Sequence, residues 1–452
     1  MSYQETVEQL YALGHELAGT PSHKFDLAYV REMLEALEHP ERRFVSVLIA
    51  GTNGKGSTAA TLSSILRVAG YKTALYSSPH LLRINERMRV NGEPICDAEF
   101  GTIHNRVENT ARQLMQRGKL PWHPSFFEML TVMAFEYFAS VGAEIAVLEV
   151  GMGGRLDATN VVEPAISVIA DISLDHQKYL GDTITEIARE KTGIIRKNGV
   201  VVTLPQHPLA NDVIGHAVLE QGARAVNAAK YVPPVSPGAA AYLAGRVVAV
   251  PGRNRYPLMV MGEEIEVDSP LAGRHQLRNI ALAIAVAEEL GQFGFKVTPK
   301  QVEQGLRETR WPGRFQVLPR SAATQQREMV LDVAHNPAGA WALRSALAEN
   351  FSERKLTFVF AAMRDKAIQE ISEILFPLAE QVVLTTVNNP RSAATSELLQ
   401  GASRTGARLH AEQTVAAALA QARAMSSPED LIVVTGSIFL VGEAMAAMGI
   451  PA

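Results

Sequence analysis

From Phe44 onward the chain alternates short β-branched apolar runs with stretches of helical spacing. FVSVLIAG precedes STAATLSSILRVAG, and YKTALYSS follows. FFEMLTVMAFEYFASVG precedes AEIAVLEVG, while PAISVIADIS leads into TITEIAREKTGII and then GVVVTLP. Apolar runs that stop at glycine or polar turns read as buried strands, and their alternation with helices predicts a mainly parallel sheet covered on both faces. Before this region, residues 3–38 read as helical, with Leu27, Val30, Leu34 and Leu37 at helical spacing. Residues 206–270, around VPPVSPGAAAYLAG, are less regular and read as strands plus loops, after which HQLRNIALAIAVAEEL resumes a helix. The pattern breaks at ETRWPGRF. A second alternation follows, with EMVLDVAH, KLTFVFAAM, EQVVLTTV and DLIVVTGS as strand candidates and AEQTVAAALAQARAM as an alanine-rich helix. The expected division is residues 1–304, a linker at 305–312, and a smaller α/β domain over 313–452.

Size supports two domains, since 452 residues exceed what one hydrophobic core usually serves. Hydrophobic residues at 47% and charged residues at 20% describe an ordinary globular chain, and a net charge of −4 argues against nucleic acid or an acidic membrane as partner. Cys96 is the sole cysteine, which excludes an intramolecular disulfide and a CxxC metal knuckle; it reads as a small packed residue and fits a reducing cytoplasm. MSYQETVEQLYALG lacks a basic-then-apolar signal pattern, and LIVVTGSIFLVG falls short of the ~20 residues that cross a bilayer. A cytoplasmic protein without membrane attachment is the expectation.

The chemistry begins at VLIAGTNGKGSTAATL, Val47 to Leu62. The Walker form G-x-x-x-x-G-K-[ST] would place glycine where Ile49 stands and a hydroxyl where Gly56 stands. The context is nonetheless that of a phosphate loop: an apolar strand, a glycine turn, then a helix starting at Lys55–Thr58. Amides of such a turn converge on phosphate oxygens and the helix N-terminus adds partial positive charge. Lys55 suits terminal phosphates, and Ser57 or Thr58 suits a magnesium-bound hydroxyl. Glu149 ends the strand AEIAVLEV, where open α/β sheets bind ligands, so it is either a Mg²⁺ ligand or a cap on the next loop. His176 follows another strand end, and Lys191 lies on a charged helix with Glu186 and Glu190. Taken alone, the histidine reads as structural and the lysine as solvated.

Together these segments resemble the folylpolyglutamate synthase and dihydrofolate synthase family of the Mur ligase superfamily, whose phosphate loop reads GTNGKGS as here. SSPHLLRINERMRVNGEPI, FFEMLT, LEVGMGGRLDATN, SLDHQKYLGDTITEIAREKTGII, WPGRFQV, LDVAHNPAG and TGSIFLVGE run in family order from about residue 25 to 443. Val333 and Thr192 depart from the usual glycine and alanine, and neither position carries a reacting group. The resemblance implies an N-terminal P-loop ATPase domain with a mainly parallel sheet and a smaller C-terminal Rossmann-like α/β domain. It implies ATP-dependent addition of L-glutamate to reduced folates, and to dihydropteroate, through an acyl phosphate, by a monomer.

The resemblance also implies residue roles. Gly51, Thr52, Asn53, Gly54, Lys55, Gly56, Ser57 and Thr58 would hold the ATP phosphates. Ser57 and Glu149 would hold one Mg²⁺; His176 and a CO2-derived carbamate on Lys191 would hold a second. His275 and Asn279 match the adenine region, Arg314 an arginine reaching the phosphates, and Asp332 and His335 residues facing the nucleotide, with the aspartate on ribose. Pro79, His80 and Leu81 begin a folate-site loop, and Phe127 and Asp157 match pterin contacts. ATP would then sit between the domains. The alternatives are a peptidoglycan-precursor ligase, for whose extra UDP-binding domain the fifty residues before Gly51 leave no room, a P-loop kinase, and a nucleotide-binding module without catalysis.

Overall fold

A computed structural model describes residues 3–14, 26–234 and 251–451 of the chain. The first sheet contains β1 (Val45–Ala50), β2 (Thr73–Tyr76), β3 (Met88–Val90), β4 (Glu93–Pro94), β5 (Ile145–Glu149), β6 (Ile166–Ile169), β7 (Val200–Thr203) and β8 (Arg224–Asn227). Their order is β4-β3-β2-β5-β1-β6-β7-β8, parallel except at the antiparallel β3 and β4. β1 therefore lies inside the sheet, with β5 and β6 as parallel neighbours. Strands buried on both faces need apolar side chains throughout, which is why VSVLIA and IAVLE read as continuous runs. Alternate residues serve two cores: Leu48 and Ala50 pack on one face with the helix Phe126–Ser140, and Val47 and Ile49 pack on the other with Lys55–Val68 and Arg274–Glu289.

An antiparallel hairpin, β9 (Asn254–Val260) and β10 (Glu263–Ser269), precedes the helix Arg274–Glu289. The second sheet holds β11 (Gln316–Leu318), β12 (Glu328–Leu331), β13 (Leu356–Phe360), β14 (Ala379–Leu384), β15 (Arg408–Ala411) and β16 (Leu431–Thr435) in the order β11-β12-β16-β13-β14-β15. Only β11 is antiparallel to its neighbour, and helices cover both faces. Two α/β units with mainly parallel sheets are thus present, as the alternation predicts.

The pattern missed short strands at or next to the sheet edges: β3, β4, β11 and β15 have two to four residues each and little apolar periodicity. It also missed the helix Pro208–Gln221 inside the region read as strands and loops. That helix buries only Ala210 and Ile214 and leaves Leu209 and Leu219 exposed, so no apolar stripe marks it. The expected helix over 3–38 is two helices, Tyr3–Ala12 and Leu27–Ala36. Its centre, and most of VPPVSPGAAAYLAG, lie outside the described residues. Cys96 is exposed rather than packed: it is the N-cap of Asp97–Gln116, whose inward stripe starts later, at Phe100 and Ile103. Among the described residues no helix is long and apolar enough to cross a membrane.

Candidate active site

β1 ends at Ala50 and the helix Lys55–Val68 starts after a turn capped by Gly54. Gly54 has φ +85°, a left-handed conformation that favours glycine, and a Cβ there would lie 2.2 Å from Asn279 Oδ1. Gly56, where the Walker pattern wants a hydroxyl, lies against Trp311: a Cβ would come within 2.9 Å of the indole ring. Glycine at position 56 therefore makes room for the indole of Trp311, which packs from the expected linker against the first domain's core. The N–H groups of Thr52 and Asn53 donate to the main-chain oxygen of Asp171 at 2.8 and 3.1 Å. Arg278 grips the Asp171 carboxylate as a fork, with Nη2 2.6 Å from Oδ1 and Nε 3.0 Å from Oδ2. Lys55 folds back, its Nζ donating to the carbonyls of Gly51 and Thr52 at 3.0 and 3.2 Å. The first-turn amides of the helix lack intrahelical partners by geometry, so the turn presents donors and one cation.

Lys191, in the helix Ile184–Thr192, meets this turn. Its Nζ is buried and donates to the carbonyl of Gly51 at 2.9 Å. No carboxylate lies within ion-pair range of it among the described residues. Burial, then the nearby Lys55 charge, lowers its pKa to about 7, so a large share of the amine is neutral near physiological pH. Glu149 is buried in register with Ile49 of β1, which sets it beside the same turn, and it accepts from Ser78 N at 3.3 Å. Ser57 and Thr58 are buried in the first turn of the helix. His176 has φ +52° and lies in the cap of a short helix; burial lowers its pKa to about 4 and keeps the imidazole neutral.

The second domain reaches the turn from the opposite side. Asn336 Nδ2 donates to Asn53 Oδ1 and to Asp175 Oδ2, both at 3.1 Å. Lys366 Nζ donates to Asp175 Oδ1 at 2.8 Å, and His335 Nε2 and His176 Nε2 lie 3.7 and 3.9 Å from Asp175 Oδ2. Burial would raise the pKa of Asp175, but this group of partners holds it well below the usual carboxylate range. Arg314 is half-buried near Glu149 and Asp332; desolvation pushes its pKa down, although both carboxylates oppose that. Asp332 spends its two oxygens on backbone: Phe315 N and Ala334 N each donate at 2.8 Å. His275 is half-buried near Arg314; desolvation, then the Arg314 charge, lowers its pKa to about 4, and its buried Nδ1 has no hydrogen-bond partner among the described residues.

A cavity of about 330 Å³ opens beside this junction. Pro79, Phe127 and Asp157 line it from the first domain; Arg314, His335, Lys366 and Phe439 line it from the second. Asp157 also caps the turn Ala158–Val161, accepting from Thr159 N at 3.0 Å and Met152 N at 2.9 Å. His80 and Leu81 do not line this cavity. His80 accepts from Arg87 Nε at 2.9 Å and contacts Tyr11 OH at 3.1 Å, while Leu81 presses its carbonyl against Gly442.

Reading the residues in sequence did not single out Asp175, Asn336, Lys366 or Arg278. Asp175 and Asn336 lie inside the motifs SLDHQKY and LDVAHNP, next to His176 and His335, and Lys366 follows a strand end, where ligands of α/β sheets collect.

Residues 49–287 match the model of the Mur ligase middle domain, and residues 313–438 that of the Mur ligase glutamate ligase domain. The chain is 30% identical over 420 residues to a Bacillus subtilis dihydrofolate synthase/folylpolyglutamate synthase, covering 92% of this chain and 93% of that one. It is similar to the Mycobacterium tuberculosis folylpolyglutamate synthase structure complexed with ADP and AMPPCP, at 31% identity and a TM-score of 0.86 over 99% of each chain. The structure of E. coli FolC in complex with DHPP and ADP is similar at 26% identity and a TM-score of 0.80, covering 99% of this chain and 98% of that one.

Proposed function

Because the chain belongs to the Mur ligase family, in its dihydrofolate synthase/folylpolyglutamate synthase branch, we propose that it joins L-glutamate to a folate carboxylate while cleaving ATP to ADP and phosphate. The observation that carries the reading is Lys191 on the Gly51 carbonyl, beside a cavity walled by both domains. A folate carboxylate oxygen attacks the γ-phosphorus and ADP departs. The amine of glutamate then attacks the acyl carbon, loses a proton, and displaces phosphate to leave an amide.

The first step brings an anion to a polyanion, so fixed positive charge is required. Lys55 exchanges its loop carbonyls for phosphate oxygens, and the first-turn amides of the helix Lys55–Val68 add donors. Arg314 supplies a half-buried guanidinium from the other domain. His275 and Asn279 border the nucleotide, with Asn279 Oδ1 already against Gly54. Asn336 and Lys366 hold the second domain on the turn through Asn53 and Asp175, which excludes water from the activated carboxyl.

Ser57, Glu149, His176 and a carbamate on Lys191 would hold two Mg²⁺ ions, which would neutralise phosphate charge during transfer. The donors fit this chemistry. The Lys191 amine is buried, unpaired with any carboxylate and partly neutral, as addition of CO2 requires. Neutral His176 keeps a free lone pair. Among the described residues no three His, Cys, Asp or Glu side chains form a metal-sized cluster, so phosphate and carbamate oxygens must complete the shells.

Phe127 on the cavity wall offers a ring for a pterin, and Asp157 orders the loop beside it, which supports dihydropteroate as a second acceptor. Both walls of the cavity come from one chain, which favours a monomer; sedimentation at single-chain mass is the check. The reading places the enzyme in the cytoplasm.

The test pairs dihydropteroate with tetrahydrofolate in the presence of ATP, Mg²⁺ and L-glutamate, with products weighed by mass spectrometry. ADP release is expected only when glutamate and a pteroyl acceptor are both present, with the acceptor gaining glutamate. ADP release that ignores glutamate, or that needs a UDP-linked acceptor, contradicts the proposal.

A further inference from the structure

The first-domain wall of the cavity is anchored from behind by a histidine that none of the roles above uses. Ser125 and Phe127 line the cavity at the start of the helix Phe126–Ser140, and Leu27 and Val30 line it from the helix Leu27–Ala36. The segment Pro121–Pro124 touches both. Trp122 packs edge-on against Tyr29 of the helix Leu27–Ala36, with ring centroids 5.4 Å apart, and Pro124 leads directly into Ser125, the N-cap of the other helix. Pro121 and Pro124 have no N–H, so this turn depends on side chains to hold its shape.

His123 supplies that hold. Its Nε2 lies 2.8 Å from Glu108 Oε2, on the helix Asp97–Gln116, and its Nδ1 lies 2.9 Å from the carbonyl of Pro124. A carboxylate and a carbonyl only accept, so both ring nitrogens have to donate, and only the imidazolium can. A neutral ring would leave one lone pair facing an oxygen. The hydrogen bond to Glu108 raises the His123 pKa against the pull of burial, and His123 in turn brings Glu108 down to about 2. A raised folded-state value means that the tie is complete below the ordinary histidine range and is lost as pH climbs through the raised one.

The other charged groups around the turn are engaged elsewhere. Arg112 Nε donates to Glu108 Oε1 at 2.6 Å, Lys119 pairs with Glu32 at 3.3 Å, Arg106 pairs with Glu136 at 2.9 Å, and Glu128 accepts from Ser125 N at 2.7 Å. His104, buried on the same helix as Glu108, has its pKa lowered by burial and stays neutral. His123 is therefore the group here whose charge changes near neutral pH.

We propose that His123, outside the cavity, is a positioning residue that fixes the acceptor wall through Glu108, so that affinity for the pteroyl acceptor weakens as the ring loses its proton. This rests on the ligase reading above.

The experiment measures ADP release by the full chain, by His123→Gln and by Glu108→Gln from about pH 6 to about pH 9, which spans histidine titration, varying the pteroyl acceptor, ATP and glutamate in turn. At the acid end His123→Gln is expected to raise the acceptor KM by about fivefold, with the ATP and glutamate KM values within about twofold of the parent. As pH rises the parent should lose this advantage, and the ratio of the two acceptor KM values should close to about one. Taking the ratio cancels the titration of Lys191 and of the acceptor itself. Glu108→Gln removes the carboxylate that keeps the ring charged, so its own loss of acceptor affinity should fall at lower pH than in the parent; should His123→Gln fold poorly, this shift decides. A ratio that stays constant across the range overturns the inference, because a purely structural role does not follow the proton. A change confined to the ATP or glutamate KM overturns it as well. Either result in a parent that ligates glutamate leaves the ligase reading standing, whereas a parent without glutamate-dependent ADP release overturns both.

Discussion

Two turns of the same build meet at the site and have opposite chemistry. In the first, β1 runs through Gly51–Gly54 into Lys55–Val68; in the second, β12 runs through Asp332–Asn336 into Pro337–Phe351. Each joins a buried parallel strand to a helix, where sheet proteins bind ligands. The first turn has glycines and a lysine, and no acidic side chain of its own. Its amides are held by a borrowed acceptor, the Asp171 carbonyl, and the first turn of its helix stays open for an anion. The second turn supplies its own acceptor. Asp332 takes Phe315 N and Ala334 N, Pro337 removes one helix donor, and Asn336 caps Gly339 N at 2.8 Å. With its donors spent, that turn becomes a docking edge, and Asn336 reaches across to Asn53 and Asp175. Strand–turn–helix geometry alone does not make a phosphate site; unspent donors do.

The largest expected effect tests what the first turn is for. Lys191→Ala and Lys191→Arg are each predicted to lower turnover by about a thousandfold while circular dichroism shows an intact fold, because an arginine cannot carry a carbamate. Full activity in the arginine variant sinks the carbamate. Gly54→Ala comes next. A left-handed alanine costs about 1–2 kcal/mol, and its Cβ must displace Asn279, so ATP affinity should fall by about tenfold or more. Calorimetry with a non-hydrolysable ATP analogue reads this directly, and parent-like affinity would show that the turn tolerates the side chain. Asp332→Asn is the smallest. One of two backbone amides loses its acceptor, at about 1–3 kcal/mol, and the melting temperature should drop with little change in ATP KM. A raised ATP KM at an unchanged melting temperature would instead place Asp332 on the nucleotide.

The first turn was legible because its information is local: an apolar strand, glycines and Gly-Lys-Gly-Ser lie within sixteen residues. The second was legible only as a strand end, since Asp332 and Asn336 act on partners from other segments. Lys191 shows the limit most clearly. On a charged helix it reads as solvated, and only folding brings it to Gly51, 140 positions earlier. Its family motif, not composition, marks it. Asp175 was passed over for the same reason, because Asn336 and Lys366 are 161 and 191 residues away. The close approach of Trp311 to Gly56 accounts for the glycine where the Walker pattern wants a hydroxyl, and that contact is invisible along the chain.

The central claim is that both domains build one site, with Asp175 as the joint between the turns. A double-mutant cycle of Asp175→Asn and Lys366→Met, read as kcat/KM for ADP release with all substrates present, tests it most directly. Each single variant should lose activity, and the double variant should lose little more than the worse single, a coupling of about 1.4 kcal/mol or more. Losses that simply multiply would mean the two residues act independently, and that the domains do not meet at Asp175 during the reaction.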